Sequence, residues 1–190
     1  MRHKYHTKAF VLARYPTGED SLAIALLTAD FGLITARVQG ARKRGAKNAA
    51  AIQTLASCDI GLVRGKEQWR VASGVLERAW FTELPPHARE RAGRITALIL
   101  RLVRGEAPDP VIYRIFETFL SALATEPQSL HDAAEVLTAL RLLRVLGLDA
   151  GELPGGTEFG PLLPELLAEA SASRTDLITR VNRGISASHL

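Results

Sequence analysis

The sequence predicts an α+β protein, a small N-terminal β-barrel followed by an all-helical segment, and three observations predict it. Apolar residues recur at every second position as far as Arg78, and with a helical period beyond Thr82. Charge follows the same division: residues 1–80 hold thirteen Lys and Arg against six Asp and Glu, whereas the remainder holds eleven against fourteen. Between the two patterns stands Glu83-Leu84-Pro85-Pro86, a proline boundary that divides residues 1–82 from residues 83–190.

The strands follow in order. His6-Lys8-Phe10-Leu12 alternates with Thr7-Ala9-Val11-Ala13 until Tyr15-Pro16-Thr17-Gly18, where proline and glycine favour a turn. Ser21 to Thr28 is apolar on both faces and predicts a buried strand, ended by the turn Asp30-Phe31-Gly32. The next strand sets Ile34, Ala36 and Val38 on one side and Thr35, Arg37 and Gln39 on the other, a half-buried pattern with a basic outer face. A basic, glycine-bracketed stretch from Gly40 to Lys47 leads into the alanine-rich Asn48 to Ala56, which predicts a short helix. A last hairpin runs up Cys58-Ile60-Leu62, turns at Arg64-Gly65-Lys66 and returns along Trp69-Val71-Ser73-Val75, read as an inward face. Three strands, a helical insert and two strands is the order of the five-stranded OB barrel, whose usual nucleic-acid face is built from strands 2 and 3 and the adjoining loops.

In the second half Ile95, Leu98, Ile99 and Leu102 form a helical stripe that should stop near Gly105. Asp109 and Pro110 open a second helix, with Ile112, Ile115, Phe116, Phe119, Leu120 and Leu123 on one face. Ser129-Leu130-His131-Asp132 starts a third in the manner of a capping box; it carries Val136, Leu137, Leu140 and Leu143 and ends at Gly147. A glycine-rich loop, Asp149 to Gly160, precedes two short amphipathic pieces around Leu162–Ala170 and Asp176–Asn182.

Composition narrows the function. With 47% hydrophobic and 23% charged residues, a chain of 190 residues builds a packed core. No apolar run approaches the roughly 20 residues that span a bilayer, and the N-terminus lacks an apolar signal segment, so a cytoplasmic, nucleoid-associated location is expected. The five histidines are scattered without metal-ligand spacing, the single cysteine, Cys58, reads as a small buried hydrophobe, and no phosphate-cradling glycine loop occurs. No catalytic residue, metal or cofactor is therefore expected, and the protein reads as a non-enzyme.

The chemical signal is cationic. Arg42, Lys43, Arg44 and Lys47, preceded by Arg37, can replace the counterions condensed on a phosphate backbone, a sequence-independent mode of binding. Arg64, Lys66 and Arg70 extend this strip along the last hairpin, while Trp69 reads as core rather than as a base-stacking platform. In the helical half Arg141 and Arg144 border apolar Leu140 and Leu143, a setting suited to an acidic peptide with a hydrophobic end. On residues alone an RNA-binding OB protein of translation or ribosome assembly, and a non-catalytic scaffold, stay open beside a DNA-binding protein.

Gly18-Glu19-Asp20-Ser21, Leu26-Leu27-Thr28, Gly32-Leu33-Ile34 and Gly40-Ala41-Arg42-Lys43, in that order, resemble the N-terminal domain of the bacterial recombination mediator family RecO. Leu140-Arg141-Leu142-Leu143-Arg144-Val145-Leu146-Gly147-Leu148 is similar to the long helix of that family's helical domain. The resemblance implies a DNA-repair protein that binds single- and double-stranded DNA, anneals complementary strands, works with RecR and helps replace single-stranded-DNA-binding protein by contacting its acidic C-terminal tail. It implies that the family's basic stretch falls on Arg42, Lys43 and Arg44, and that tail binding falls near Arg141 and Arg144. The chain departs from the pattern in two ways: the zinc-binding cysteines of many members are missing after Gly147, and Gln39 stands where a lysine is common.

Overall fold

The computed structural model describes residues 3–17, 19–41, 48–66, 68–106, 108–156 and 159–188. It divides into two compact units, Met1–Glu83 with Gly105–Pro110, and Leu84–Arg104 with Val111–Leu190.

The first unit is a closed barrel. Strands β1 (Lys4–Pro16), β2 (Leu22–Thr28), β3 (Gly32–Val38), β4 (Ala56–Arg64) and β5 (Trp69–Ala79) are ordered β1-β2-β3-β5-β4, with β4 pairing back onto β1. All pairs are antiparallel except β3–β5, where Ala36 faces Trp69 and Arg37 faces Arg70. This is the OB barrel that the strand order predicts. Alternation drives its closure: Val11, Ile24, Leu26, Ile34, Ile60 and Leu62 each turn inward and are at most 2% exposed. The β2–β3 turn forms as read, with Thr28 Oγ1 accepting from the Phe31 N–H at 3.0 Å and donating to the Gly32 carbonyl at 2.8 Å.

Two expectations for this unit need correction. Trp69 and Val71 do face the core, but the register with β4 shifts between Gly61 and Leu62, so that Val71 opposes Leu62 while Ser73 opposes Gly61. That bulge passes over Ala72 and reverses the alternation beyond it, leaving Val75 67% exposed rather than inward. Asn48 to Leu55 is a run of turns, not a helix. Eight residues are too few to sustain one without packing on both sides, and Leu55 ends the run at φ +58. Ala51, Ile52 and Leu55 are nevertheless buried and close one end of the barrel core. Finally, a four-residue helix, α1 (Trp80–Glu83), follows β5 directly.

The second unit is helical: α2 (Pro86–Leu102), α3 (Pro110–Thr125), α4 (His131–Val145), α5 (Pro164–Ala172) and α6 (Arg174–Ala187). The apolar stripe of α3 is fully buried, and α4 packs against α2, α5 and α6. The expected capping box at Ser129 is replaced by a 3-10 turn, Gln128–Leu130, and Leu130 in the cap position makes no side-chain cap hydrogen bond. Gly147 stops α4 as read. It sits at φ +72, and the Leu148 N–H reaches back to the Leu143 carbonyl at 2.8 Å, the glycine-capped helix end. Among the described residues no helix is long and apolar enough to cross a membrane.

Candidate nucleic-acid interface

A single row of register partners runs around the barrel: Tyr15 beside Ala23, Ala23 beside Arg37, Arg37 beside Arg70, Arg70 beside Val63 and Val63 beside Lys4. Register partners in a sheet share a face, and the neighbouring row, Ala36 and Trp69, is core, so this row points outward. The barrel therefore brings Arg37, Arg70 and Lys4 together. Arg37 and Arg70 are half-buried, and Lys4 is exposed. Among the described residues no carboxylate pairs with any of the three, and Arg37 Nε is a buried donor with no partner. Two arginines paired in register on one outward row concentrate positive charge that suits an anionic oxygen. Lys4 escapes the sequence reading because its alternation is traced only from His6; the signal was the strand's extension to the terminus.

The other cations of the last hairpin divide. Lys66 is exposed at the tip, which the Gly65 N–H closes onto the Gln68 carbonyl at 2.9 Å. Arg64 is held twice: it pairs with Glu106, and its guanidinium lies 4.6 Å from the centre of the Trp69 ring. Trp69 is 5% exposed, packed edge-on against Tyr5 at 5.5 Å and tilted against Phe31 at 5.3 Å, which agrees with a core reading. Arg42, Lys43, Arg44 and Lys47 lie outside the described residues. What precedes and follows them is anchored: Ala41 packs on the barrel core, and Asn48 Oδ1 accepts the Gly74 N–H at 3.2 Å.

Cys58 is fully buried, its thiol directed at the Ala9 carbonyl. Burial, reinforced by Glu77 and Asp59, pushes it up to about 12. Among the described residues no cluster of His, Cys, Asp and Glu could hold a metal ion.

In the helical unit Arg141 is not on an exposed border as expected. It is 2% exposed, its guanidinium donates to the Gly160 carbonyl at 2.7 Å, and burial lowers its pKa. The reason is local: α4 is buried nearly all round, and the glycine-rich segment folds back over it. Arg144 is half-buried and donates to the Gly151 carbonyl at 3.1 Å. Arg141 still forms part of the wall of a cavity of about 390 Å³, which Pro161, Leu163 and Leu166 make apolar and Glu165 and Glu169 line with carboxylates. A larger apolar groove of about 480 Å³ lies between α2, α4 and α6, but its arginines, Arg91 and Arg94, are both paired with Glu135.

Residues 1–76 match the family described as recombination protein O N terminal. The barrel is similar to a RecO N-terminal domain. A curated relative, the DNA repair protein RecO of Acidithiobacillus ferrooxidans, is 30% identical over 125 residues, which cover 63% of this chain and 46% of that protein. The match thus spans about half the length of the RecO protein it resembles. The RecO-matched region contains all five β-strands except the last residues of β5, and with them the whole row from Tyr15 to Lys4.

Proposed function

We propose that this chain is a non-catalytic mediator of DNA repair and recombination. It binds single- and double-stranded DNA through the phosphates, anneals complementary single strands and helps to replace single-stranded-DNA-binding protein. The observation that carries this reading is the pair Arg37 and Arg70, register partners on the outward row of an OB barrel with no carboxylate partner among the described residues. Phosphate contacts of this kind position a strand without reading its sequence, so the bases stay free to pair. Neutralising both strands at one surface lowers their mutual repulsion, and that is the contribution to annealing. Arg42, Lys43, Arg44, Lys47, Lys66 and, once released from Glu106, Arg64 extend the contact.

The helical unit supplies recruitment. Its proposed partners are RecR and the acidic C-terminal tail of single-stranded-DNA-binding protein, with Arg141 as the seat for the tail's terminal carboxylate and Pro161, Leu163 and Leu166 as its apolar wall. Arg144 supports that seat through its bond to Gly151. Glu165 and Glu169 restrict entry to the end of such a tail.

Strand annealing tests the reading, with and without single strands pre-coated by their binding protein. Reversing Arg42, Lys43 and Arg44 together with Arg37 and Arg70 should abolish annealing in a protein that still melts cooperatively. Annealing at the unmodified rate by that variant would refute the assignment, and a marked preference for RNA over DNA of equal length would refute the choice of substrate.

A further inference from the structure

The C-terminal end of β1 carries a feature that phosphate binding leaves unused. Arg14, Ala49, Gln53, Thr54 and Phe81, all in the barrel unit, line a cavity of about 460 Å³. That volume falls within the roughly 300–1,000 Å³ of small-molecule sites.

Phe81 is held where it is. Trp80, its neighbour, is 3% exposed; the indole N–H donates to Ser57 Oγ at 3.3 Å, and Arg78 lies 3.8 Å from the ring centre. Glu83 secures the same turn, accepting the Ala79 N–H at 3.3 Å and pairing with Arg78 at 2.5 Å. Adjacent helical residues point about 100° apart, so anchoring Trp80 inward turns Phe81 outward. Its ring is 47% exposed. Arg14 is exposed as well, and among the described residues no carboxylate pairs with it. The Gln53 amide and the Thr54 hydroxyl each offer a donor and an acceptor.

An aromatic face, a mixed hydrogen-bonding edge and an exposed cation in one recess are the complements of a nucleobase and its phosphate. The amide and hydroxyl can meet either polarity of a base edge, which makes such a site tolerant of sequence.

We propose that this cavity captures one unstacked base of a single strand, with Phe81 as the stacking surface, Gln53 and Thr54 on the base edge and Arg14 on the adjoining phosphate. The proposal rests on the reading of the barrel as a DNA binder and adds to it a preference. Phosphate contacts treat single strands and duplexes alike, whereas the bases of a duplex are already stacked and paired and cannot enter.

Anisotropy titrations of the full chain, with a labelled oligothymidine and a duplex of equal length, test this. In Phe81→Ala we expect single-strand affinity to fall about 5- to 160-fold, the range of one lost base–aromatic stack. Duplex affinity and the salt slope should stay unchanged. Phe81→Trp should retain the preference, and Arg14→Ala should lower the single-strand salt slope by about 0.7. Single-strand binding by Phe81→Ala at the unmodified affinity would overturn the capture site while leaving the phosphate contacts standing. An equal loss for strand and duplex would also overturn it. If the unmodified chain binds neither nucleic acid, the proposed function falls and the capture site with it.

Discussion

Arg37 and Arg70 stand directly opposite each other across the parallel β3–β5 pair, cation beside cation. Like charges facing each other in a sheet oppose pairing by a fraction of a kcal/mol, about 0.2–1. A phosphate bridging the pair would relieve that repulsion. We therefore expect Arg70→Gln to weaken DNA binding at every sequence and to lower the slope of log affinity against log salt by about one. The DNA-free protein should melt at the same temperature or slightly higher. A salt slope identical to that of the unmodified protein would remove the pair from the interface.

Arg64 carries its own competitor. Its pair with Glu106 is half exposed on both sides, 50% and 46%, and exposed pairs contribute only about 0–1 kcal/mol. A polyanion can displace so weak a partner. Glu106→Gln should raise DNA affinity a few-fold at low salt, with the gain shrinking as salt screens the site. Binding isotherms at two salt concentrations decide it: a variant with no gain at low salt shows that Arg64 makes no phosphate contact.

His131 makes the helical unit sensitive to acid. It is 2% exposed, its Nε2–H donates to the Glu126 carbonyl at 2.9 Å, and its ring stacks on His87 with centroids 5.3 Å apart. Burial, with smaller contributions from His87 and Arg91, holds its pKa below the ordinary 6.5. The native ring stays neutral where the unfolded chain already binds a proton. Stability attributable to this group is thus intact above the unfolded value and is lost as pH falls through about 6.5 towards the lower native value. Denaturant melts between pH 7.5 and 5 should show this loss, and His131→Gln should flatten it. An unchanged pH slope in that variant would assign the sensitivity elsewhere.

Cys58 should be inert in the folded protein. With the thiol buried and pushed up to about 12, almost no thiolate exists near neutrality. Alkylation at pH 8 is expected to wait for unfolding, so its rate should track global stability across a denaturant series. Rapid labelling in native buffer would mean that β4 opens locally.

How much of this was legible in the sequence differs from element to element. The alternation of β3 reads correctly because Ile34, Ala36 and Val38 turn to the barrel core, and Gly147 reads correctly because a left-handed cap is a local requirement. Ser73 and Val75 mislead because a bulge is a property of two strands, and Gly61, whose added Cβ would lie 2.3 Å from Ser73 Oγ, gives no local sign of it. Asn48 to Leu55 misleads because alanine content speaks for helix while the short span and the closure of the barrel decide for turns. The start of α2 is missed because Pro86 to Gly93 shows too few apolar residues to mark a stripe, although Ala88 and Ala92 are both buried there.

The sequence by itself determined the change from a two-residue to a helical period, the five strands in chain order, the apolar faces of the helices and the concentration of cations in the first eighty residues. All of these depend on neighbours a few residues apart, where spacing and side-chain type act directly. Tertiary structure alone decided which cations meet. Arg37 and Arg70 become a pair only through the parallel closure of β3 on β5, Arg64 is taken by Glu106, Arg141 is covered by a folded-back segment, and Phe81 faces outward because Trp80 is pinned to Ser57. Register and closure join residues far apart in the chain, and no local period encodes them.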